Sequence, residues 1–325
     1  MIEARGLAKQ FGTRTALHSI SFQVAEGEIY GLLGRNGAGK TTTVRILACL
    51  LRPSAGTARV AGYDISTEAA QVRARVGILT EVPGLYERLN AWEYLDFFGE
   101  MYRLPGPVRR ARAEELLRLL GLWEVRRQRL RAFSKGMKQK VAIARALLHQ
   151  PRVLFFDEPT AALDPESAKT VRDYLRYLAE EGRVTVLLCT HNLAEAEQLC
   201  RRLSIVRDGR QIAEGTPAEL KARIGQRMVL RLRDPRPELL RELAATPGVE
   251  GVERLDGRVY FRASAPDQVN PRVVARLVAA GAEVIALEAE EVNLEEVYLA
   301  LVRGLDASGP AESSAAARAG EMVCT

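Results

Sequence analysis

The sequence predicts an α/β fold in which a mostly parallel sheet is interrupted by a helical insertion and followed by a small ferredoxin-like α+β domain. Two apolar runs, 153–156 and 184–190, have the composition of buried parallel strands, and helical patterns separate them. From about residue 225 the predicted order becomes β-α-β-β-α-β. A chain of 325 residues has room for both domains, which we place at 1–224 and 225–304.

Short strands and turns are expected over residues 1–30, and the apolar strand Glu28–Leu33 leads into a glycine-rich loop. A helix follows with Leu47 and Leu51 on one face. The helical insertion is expected over about 82–150 because apolar residues recur there at helical spacing between proline and glycine breaks.

After the insertion, Asp164 is predicted to cap a helix that begins at Pro165. In the second domain, helices are predicted at Pro237–Ala245 and Pro271–Ala280, and a capping box that begins at Asn293 starts a last helix. The composition of residues 305–325 is rich in Ala, Ser and Gly, which predicts a disordered tail.

Composition excludes several classes of protein. Hydrophobic residues make up 47% and charged residues 27%, which is typical of globular domains. No apolar run reaches the ~18–20 residues that span a bilayer, and no signal peptide pattern follows Met1, so a cytoplasmic protein is expected. The four cysteines are scattered without a CxxC pair, which gives no support to a zinc site or a disulfide framework.

The formal net charge is +6, and arginines are clustered at Arg109–Arg112 and at Arg126, Arg127, Arg129 and Arg131. Such runs usually form a solvated helix face. A basic surface also suits nucleic acid, anionic lipid or a partner protein, and charge alone leaves these alternatives open.

The strongest local motif is Gly-Arg-Asn-Gly-Ala-Gly-Lys-Thr, which fits GxxxxGK[ST] between a predicted strand and a predicted helix. Glycines let backbone N–H groups turn toward phosphates, the lysine adds positive charge, and the threonine hydroxyl suits Mg²⁺. The motif therefore predicts a P-loop nucleotide site. Its expected binding residues are Gly34, Asn36, Gly37, Ala38, Gly39, Lys40, Thr41 and Thr42.

The second motif is a pair of acids, Asp157 and Glu158, directly after the buried strand predicted at 153–156. Open α/β sheets bind their ligands at this end of their strands. Beside a P-loop, Asp157 is expected to hold Mg²⁺ together with Thr41. Glu158 is expected to orient or deprotonate the attacking water. An acidic turn at a helix entry is the alternative for this pair when it is considered alone.

Ser134-Lys-Gly-Met precedes a long helix, and Ser134 is a good N-cap whose helix N-terminus suits an anion. The P-loop, this segment, Phe-Asp-Glu-Pro-Thr at 156–160, Ala-Leu-Asp at 162–164 and His191 follow each other in an order that resembles the ATP-binding cassette (ABC) family. The resemblance covers roughly residues 1–220 and implies the ABC cassette form of the P-loop NTPase fold.

The resemblance implies a site that only a dimer completes, in which Ser134 and Gly136 of one subunit close over the γ-phosphate held by the other. Lys135 and Met137 stand where the family usually has Gly and Gln. Asp164 matches the loop that contacts the partner subunit, and this role is compatible with a helix cap.

Three further residues take roles from the resemblance. Phe11 matches the aromatic residue that stacks on adenine, with an ordinary core Phe as the alternative. His191 matches the switch histidine that contacts the γ-phosphate, and it is grouped with Lys40 and Glu158 as catalytic. Glu81 stands where the family has a glutamine near Mg²⁺, so it is expected to bind the metal unless it is a surface acid.

Residues 82–110 are rich in aromatic side chains, which either pack the insertion or form a docking patch for a partner helix. The C-terminal region, including the segment Asn293–Tyr298, resembles the small domain found in drug-, sodium- or lipid-exporting systems of the ABC-2 class. The implied ligands are ATP and Mg²⁺. The implied partners are a second copy of the cassette and a separate membrane permease that holds the chain on the inner face of the membrane.

The expected function is ATP hydrolysis that drives export through the permease. One alternative is a soluble ABC ATPase that acts on ribosomes or DNA. Only one P-loop is present, and no long coiled coil is predicted, so nucleic acid is not expected as a partner. A regulatory cassette without catalysis is the other alternative, and the presence of Lys40, Asp157, Glu158 and His191 argues against it.

Overall fold

The computed structural model describes residues 1–80, 82, 84–223, 226–290 and 293–307. It divides into two compact units, one covering Met1–Pro217 and one that begins at Ala218. The predicted boundary between residues 224 and 225 lies outside the described residues, so the domain limits remain a prediction. No helix within the described ranges is both long enough and apolar enough to cross a membrane.

The first unit contains ten strands and seven α-helices among its described residues. The strands are β1 (Ile2–Phe11), β2 (Arg14–Val24), β3 (Ile29–Leu33), β4 (Ala55–Val60), β5 (Tyr63–Asp64), β6 (Val76–Leu79), β7 (Val153–Asp157), β8 (Thr185–Thr190), β9 (Arg202–Arg207) and β10 (Arg210–Gly215). The helices are α1 (Lys40–Leu47), α2 (Ala69–Arg73), α3 (Ala91–Met101), α4 (Gly106–Leu119), α5 (Lys135–Leu147), α6 (Pro165–Glu180) and α7 (Leu193–Leu199). A further helix, α8 (Pro217–Ala222), begins at the division between the units.

The ten strands form one sheet in the order β5-β4-β1-β2-β10-β9-β3-β8-β7-β6. The five strands from β9 to β6 run parallel, and every residue of β3, β7 and β8 is buried. This part confirms the predicted parallel core, because strands covered on both faces are apolar throughout. Strands β1, β2, β4 and β5 form an antiparallel section, in which β1 and β2 are ten and eleven residues long rather than short, and β10 joins the two sections by pairing parallel with β2 and antiparallel with β9.

Two helices of the first unit differ from their predicted limits. Helix α1 ends at Leu47, and Cys49 has a left-handed backbone with φ 56°, so Leu51 lies beyond the helix. The spacing of apolar residues predicts an amphipathic helical stretch at Ala113–Leu120, but helix α4 begins earlier, at Gly106, because a proline is tolerated in the first turn of a helix. The cap at Asp164 and the start of α6 at Pro165 are as predicted.

The second unit contains a four-stranded antiparallel sheet in the order β12-β13-β11-β14, which is the ferredoxin-like order. Alternate residues of β11, including Met228 and Leu230, are buried against the helices. The elements are β11 (Gln226–Leu232), α9 (Pro237–Ala244), β12 (Val249–Leu255), β13 (Arg258–Ala263), α10 (Pro266–Ala279), β14 (Val284–Ala289) and α11 (Leu294–Ala307).

Two helices of this unit are longer than predicted. Helix α10 begins at Pro266, so Pro271 lies inside it, where the missing N–H cannot donate to the carbonyl of Asp267. Helix α11 begins after Asn293, whose side chain accepts from the N–H of Glu296 at 2.9 Å, and it continues to Ala307. Residues 305–307 are therefore helical rather than part of a tail, and residues 308–325 lie outside the described residues.

Candidate active site

The glycine-rich loop connects the buried strand β3 to helix α1, as predicted. Gly39 adopts a φ of 109°, which side chains rarely allow, and α1 begins at the next residue. At Gly34 an added Cβ would lie 2.3 Å from the carbonyl oxygen of Val206, so only glycine fits this close approach. The loop therefore keeps its backbone at the N-terminus of a helix, where N–H groups and the helix dipole favour an anion.

Lys40 is held inside this loop. Only 6% of the residue is exposed, and its Nζ donates to the carbonyl oxygens of Gly34 at 2.6 Å and Arg35 at 3.3 Å. The loop carbonyls thereby hold the ammonium group at the position where the loop would wrap phosphates. This arrangement supplies a fixed positive charge to the site.

Thr41 and Asp157 form the pair that the sequence assigned to a metal. The Thr41 hydroxyl donates to Oδ2 of Asp157 at 2.6 Å, and Asp157 is 3% exposed at the end of β7. A hydroxyl and a carboxylate that lie side by side at a phosphate-binding loop are the hard oxygen donors that Mg²⁺ prefers. The donor set of this pair therefore fits Mg²⁺.

Glu158 is fixed by contacts on both its backbone and its side chain. Its backbone is left-handed with φ 52°, and its N–H donates to the carbonyl of Cys189 at 2.9 Å. Its carboxylate accepts from the backbone N–H of His191 at 2.8 Å and from the Thr190 hydroxyl at 3.1 Å. A carboxylate held in this way at the end of a parallel strand can orient a water and accept its proton.

His191 contacts the same carboxylate with its ring, since Nδ1 lies 2.6 Å from Oε1 of Glu158. An ionised carboxylate only accepts hydrogen bonds, so Nδ1 carries the proton in this contact. The His191 side chain is 61% exposed, whereas that of Glu158 is 13% exposed. The pair therefore connects a sheltered carboxylate to a ring that reaches the surface of the site.

A cavity of about 400 Å³ opens beside these residues. Phe11 lies in its wall and is 48% exposed, with Lys9 Nζ 5.1 Å from the centre of its ring. Arg14 and Arg35 also line the cavity, and the sequence analysis did not identify them. The predicted site residues in the cavity wall are Phe11, Asn36, Gly37, Gly39, Lys40, Thr41, Thr42, Asp157 and Glu158.

Ser134 and Gly136 lie at the start of α5 and are not part of that cavity wall. Ser134 is an exposed N-cap, and its hydroxyl accepts from the N–H of Met137 at 3.2 Å. A Cβ on Gly136 would lie 2.8 Å from the carbonyl oxygen of Ala162. The start of α5 therefore packs closely on the loop that precedes α6.

Asp164 lies at the end of that loop, also apart from the cavity. Its carboxylate accepts from the N–H of Ser167 at 2.9 Å and from the Ser167 hydroxyl at 2.6 Å. The same hydrogen bonds lower the pKa of Asp164 below its ordinary value. The helix-cap interpretation of Asp164 is confirmed, whereas Glu81, the third predicted metal ligand, lies outside the described residues.

Gln139 is a residue of the site that the sequence analysis missed. It is 4% exposed, and its Nε2 donates to the carbonyl oxygens of Glu158 at 3.3 Å and Pro159 at 3.2 Å. It thereby connects α5 to the turn that holds the Glu158 carboxylate. The available signal was a polar residue with the apolar residues Ala142 and Ile143 three and four positions later, which places it on a buried helix face.

Glu195 lies behind the same turn and is 5% exposed. It accepts a hydrogen bond from the Thr160 hydroxyl at 2.6 Å. Burial is the main cause that raises the pKa of Glu195, and the negative charge of Glu158 adds to it. The buried acid therefore supports the turn through its hydrogen bond with Thr160.

Comparison with known proteins agrees with this geometry. The family model for ABC transporters matches residues 17–161, and the model for the C-terminal domain of DrrA1-3-like ATP-binding proteins matches residues 215–302. The chain is 41% identical to the daunorubicin resistance ATP-binding protein DrrA3 of Streptomyces coeruleorubidus over 92% of this chain and 95% of the relative. It is 40% identical to a Nod factor export ATP-binding protein of Paraburkholderia xenovorans over 80% of this chain and 84% of the relative.

Among solved structures, a dimeric ATP-binding cassette in a post-hydrolysis state with ADP and Pi is similar with a TM-score of 0.62 and 29% identity. That similarity covers 66% of this chain and 98% of the solved chain. Site geometry, family models and relatives similar over nearly their whole length point to one conclusion. The chain belongs to the ABC transporter family, as an ATP-binding ATPase of its exporter class.

Proposed function

We propose that the chain hydrolyses ATP as a homodimer and drives a separate membrane permease that exports its substrate. The observation that carries the proposal is the Glu158 carboxylate, held by Thr190 and His191 beside the Thr41–Asp157 pair. Paired acids at a strand end next to a phosphate loop form the machinery of nucleotide hydrolysis. The names of the relatives, which refer to drug resistance and to export, support the direction of transport.

In the proposed reaction, Lys40 and the loop N–H groups bind the β- and γ-phosphates, and Phe11 stacks on the adenine. Thr41 and Asp157 would hold Mg²⁺, with Glu81 as a further proposed ligand. When bound, this ion neutralises the charge that develops on the phosphates. Glu158 orients the attacking water and accepts its proton.

His191 supports this step through its ring. Its Nδ1–H donates to Glu158 and keeps the carboxylate directed toward the site. Its other ring nitrogen faces away from that hydrogen bond, where an imidazolium would donate to a γ-phosphate oxygen. His191 thereby couples the position of the Glu158 carboxylate to the presence of the γ-phosphate.

The proposed dimer is supported by residues that lie outside the cavity of their own chain. The exposed Ser134 hydroxyl and Gly136 start a helix whose N-terminus suits an anion. We propose that they and Asp164 complete the site of the partner subunit, so that MgATP joins two cassettes. These contacts between the two subunits exist only in the closed, MgATP-bound dimer. Hydrolysis therefore opens the dimer and resets the permease on the inner face of the membrane.

The substitution Glu158→Gln tests the catalytic assignment. It keeps the size of the side chain but removes the base, so we expect ATP binding to persist, hydrolysis to fall by at least ~100-fold and an ATP-bound dimer to accumulate in gel filtration. Glu166→Gln, an exposed acid in the first turn of α6, is the matched control and should leave activity unchanged. Hydrolysis near the wild-type rate in Glu158→Gln would refute the assignment.

Mixing two inactive subunits tests the composite site. Lys40→Ala weakens phosphate binding, and Ser134→Arg blocks the helix start that would reach the partner. A mixed dimer contains one site with both defects and one site without either, so partial activity is expected on mixing.

Co-purification of ribosomal RNA or DNA instead of a membrane protein would favour the soluble alternative.

A further inference from the structure

The segment that leads into α5 and includes its first turn is unusually basic. Residues 126–138 contain six Lys or Arg and no Asp or Glu, in a chain that has 41 acidic residues. The segment is hydrogen-bonded along its length to residues 87–92. Leu130 N–H donates to the Leu89 carbonyl at 2.9 Å, and Asn90 forms an isolated antiparallel bridge with Arg129. The segment therefore has a defined position on the helical insertion.

Four exposed arginines of this region form what we call the arginine surface: Arg88, Arg127, Arg129 and Arg131. Within the part of the chain that the structure describes, none of them forms an ion pair. The neighbouring cations differ from them. Arg126 is packed on the Trp123 ring at 3.9 Å, and Lys138 is paired with Glu87 at 2.6 Å. Arg127, Arg129 and Arg131 of the basic segment, together with Arg88 of the adjoining segment, are therefore exposed cations that no acid of the described residues neutralises.

The arginine surface adjoins an exposed aromatic surface. Tyr86, two residues before Arg88, is 52% exposed and packs on Phe97, which is 42% exposed. Arg131 N–H donates to the Glu87 carbonyl at 3.1 Å and so joins the two surfaces through the backbone. An exposed aromatic surface on the insertion is where a permease helix would dock.

From this arrangement we infer that the arginine surface binds the anionic headgroups of the membrane in which the permease lies. The inference rests on the proposed function, because the permease brings this face close to the bilayer. Arginine binds phosphate through two parallel N–H groups, and a cluster of four cations beside a membrane is the pattern that attracts anionic lipid. The contact would orient the ATPase on the membrane and would weaken with salt, since it is electrostatic.

Co-sedimentation of the full chain with lipid vesicles tests the inference in the absence of any permease. The wild type should bind vesicles of mixed phosphatidylglycerol and phosphatidylcholine but not vesicles of phosphatidylcholine alone. The variant R127Q/R129Q/R131Q should lose binding by about five-fold per cation, or about 100-fold in all. The control variant R110Q/R241Q/R272Q removes the same charge from exposed arginines outside the surface and should lose much less.

Three results would overturn the inference: no binding of the wild type to anionic vesicles, equal losses in the two triple variants, or a loss of permease binding in R127Q/R129Q/R131Q with vesicle binding intact. The last result would assign the surface to an acidic segment of the permease. Basal ATP hydrolysis, measured in the same preparations, should be unchanged in both variants. A wild-type chain that does not hydrolyse ATP would instead contradict the proposed function, whatever the vesicles show.

Discussion

Replacing Gln139 with Leu should destabilise the fold and slow hydrolysis, because this side chain holds the turn that carries Glu158. The change removes two hydrogen bonds to carbonyl oxygens. The Glu158 carbonyl also accepts from the Ala161 N–H at 3.4 Å, so it keeps a partner. The Pro159 carbonyl loses the donor described for it and lies in a buried residue.

The cost follows from this difference between the two carbonyls. A lost hydrogen bond costs about 1 kcal/mol, and a buried acceptor left without a partner costs about 1–3 kcal/mol, which together give about 2–4 kcal/mol. Glu158 would also lose a contact that keeps its backbone left-handed, so kcat should fall more than ATP affinity.

Urea denaturation and an ATPase assay measure the two effects of Gln139→Leu. Gln128→Leu is the control, because Gln128 is exposed on the same insertion and its change should stay within about 0.5 kcal/mol. If Gln139→Leu matches this control in both stability and kcat, the reasoning about the turn is wrong.

Three further predictions concern other residues of the first unit. Thr41→Val removes the hydroxyl that donates to Asp157, so half-maximal ATPase activity should need at least ~10-fold more Mg²⁺ in a titration. Gly136→Ala places a Cβ 2.8 Å from the Ala162 carbonyl and should cost about 1–3 kcal/mol in thermal or urea unfolding. Burial lowers the pKa of His149 from 6.5 to about 4, so the unfolded chain takes up a proton first as pH falls. The free energy of unfolding should then drop by up to about 1.4 kcal/mol per pH unit between these values, and His149→Gln should remove that slope.

Each of these has a matched control. Thr41→Ser keeps the hydroxyl and should keep the wild-type Mg²⁺ requirement. A Cβ added at Gly106 meets no atom within 4 Å, so Gly106→Ala should leave the free energy of unfolding unchanged. If Gly106→Ala and Gly136→Ala lower this free energy equally, the packing argument is wrong. His18 is exposed, and a pH slope that disappears in His18→Gln rather than His149→Gln would show that the wrong histidine had been chosen.

Local signals in the sequence predicted the elements that hold the proposed catalytic residues. The run 153–156 was apolar without interruption because β7 is buried on both faces, and Asp164 and Pro165 fixed the start of α6. The antiparallel section gave a weaker signal. Strands β1 and β2 are exposed on one face, and their register shifts at several points between Ala4 and Gln10, which breaks the alternation that marks a strand.

Other features depend on tertiary contacts that no local pattern reports. The left-handed turn that ends α1 falls on Cys49, a residue type without preference for that conformation. Arg14 and Arg35 line the site because β1, β2 and the phosphate loop surround one cavity, and this arrangement is tertiary. The two amide hydrogen bonds of Gln139 depend on the packing of α5 against the turn after β7, so they could not be predicted from the local sequence.

The position of β3 in the sheet constrains the order in which the protein can assemble during its synthesis. This strand, Ile29–Leu33, is made early, yet it lies between β8 and β9, whose residues extend to Arg207. The strand that ends in the phosphate loop thus has both neighbours far along the chain, and such long-range pairing is slow and leaves apolar edges exposed meanwhile. A nascent chain released from the ribosome before β9 has emerged would therefore lack a nucleotide site altogether, and ATP binding would report that the cassette has been completed.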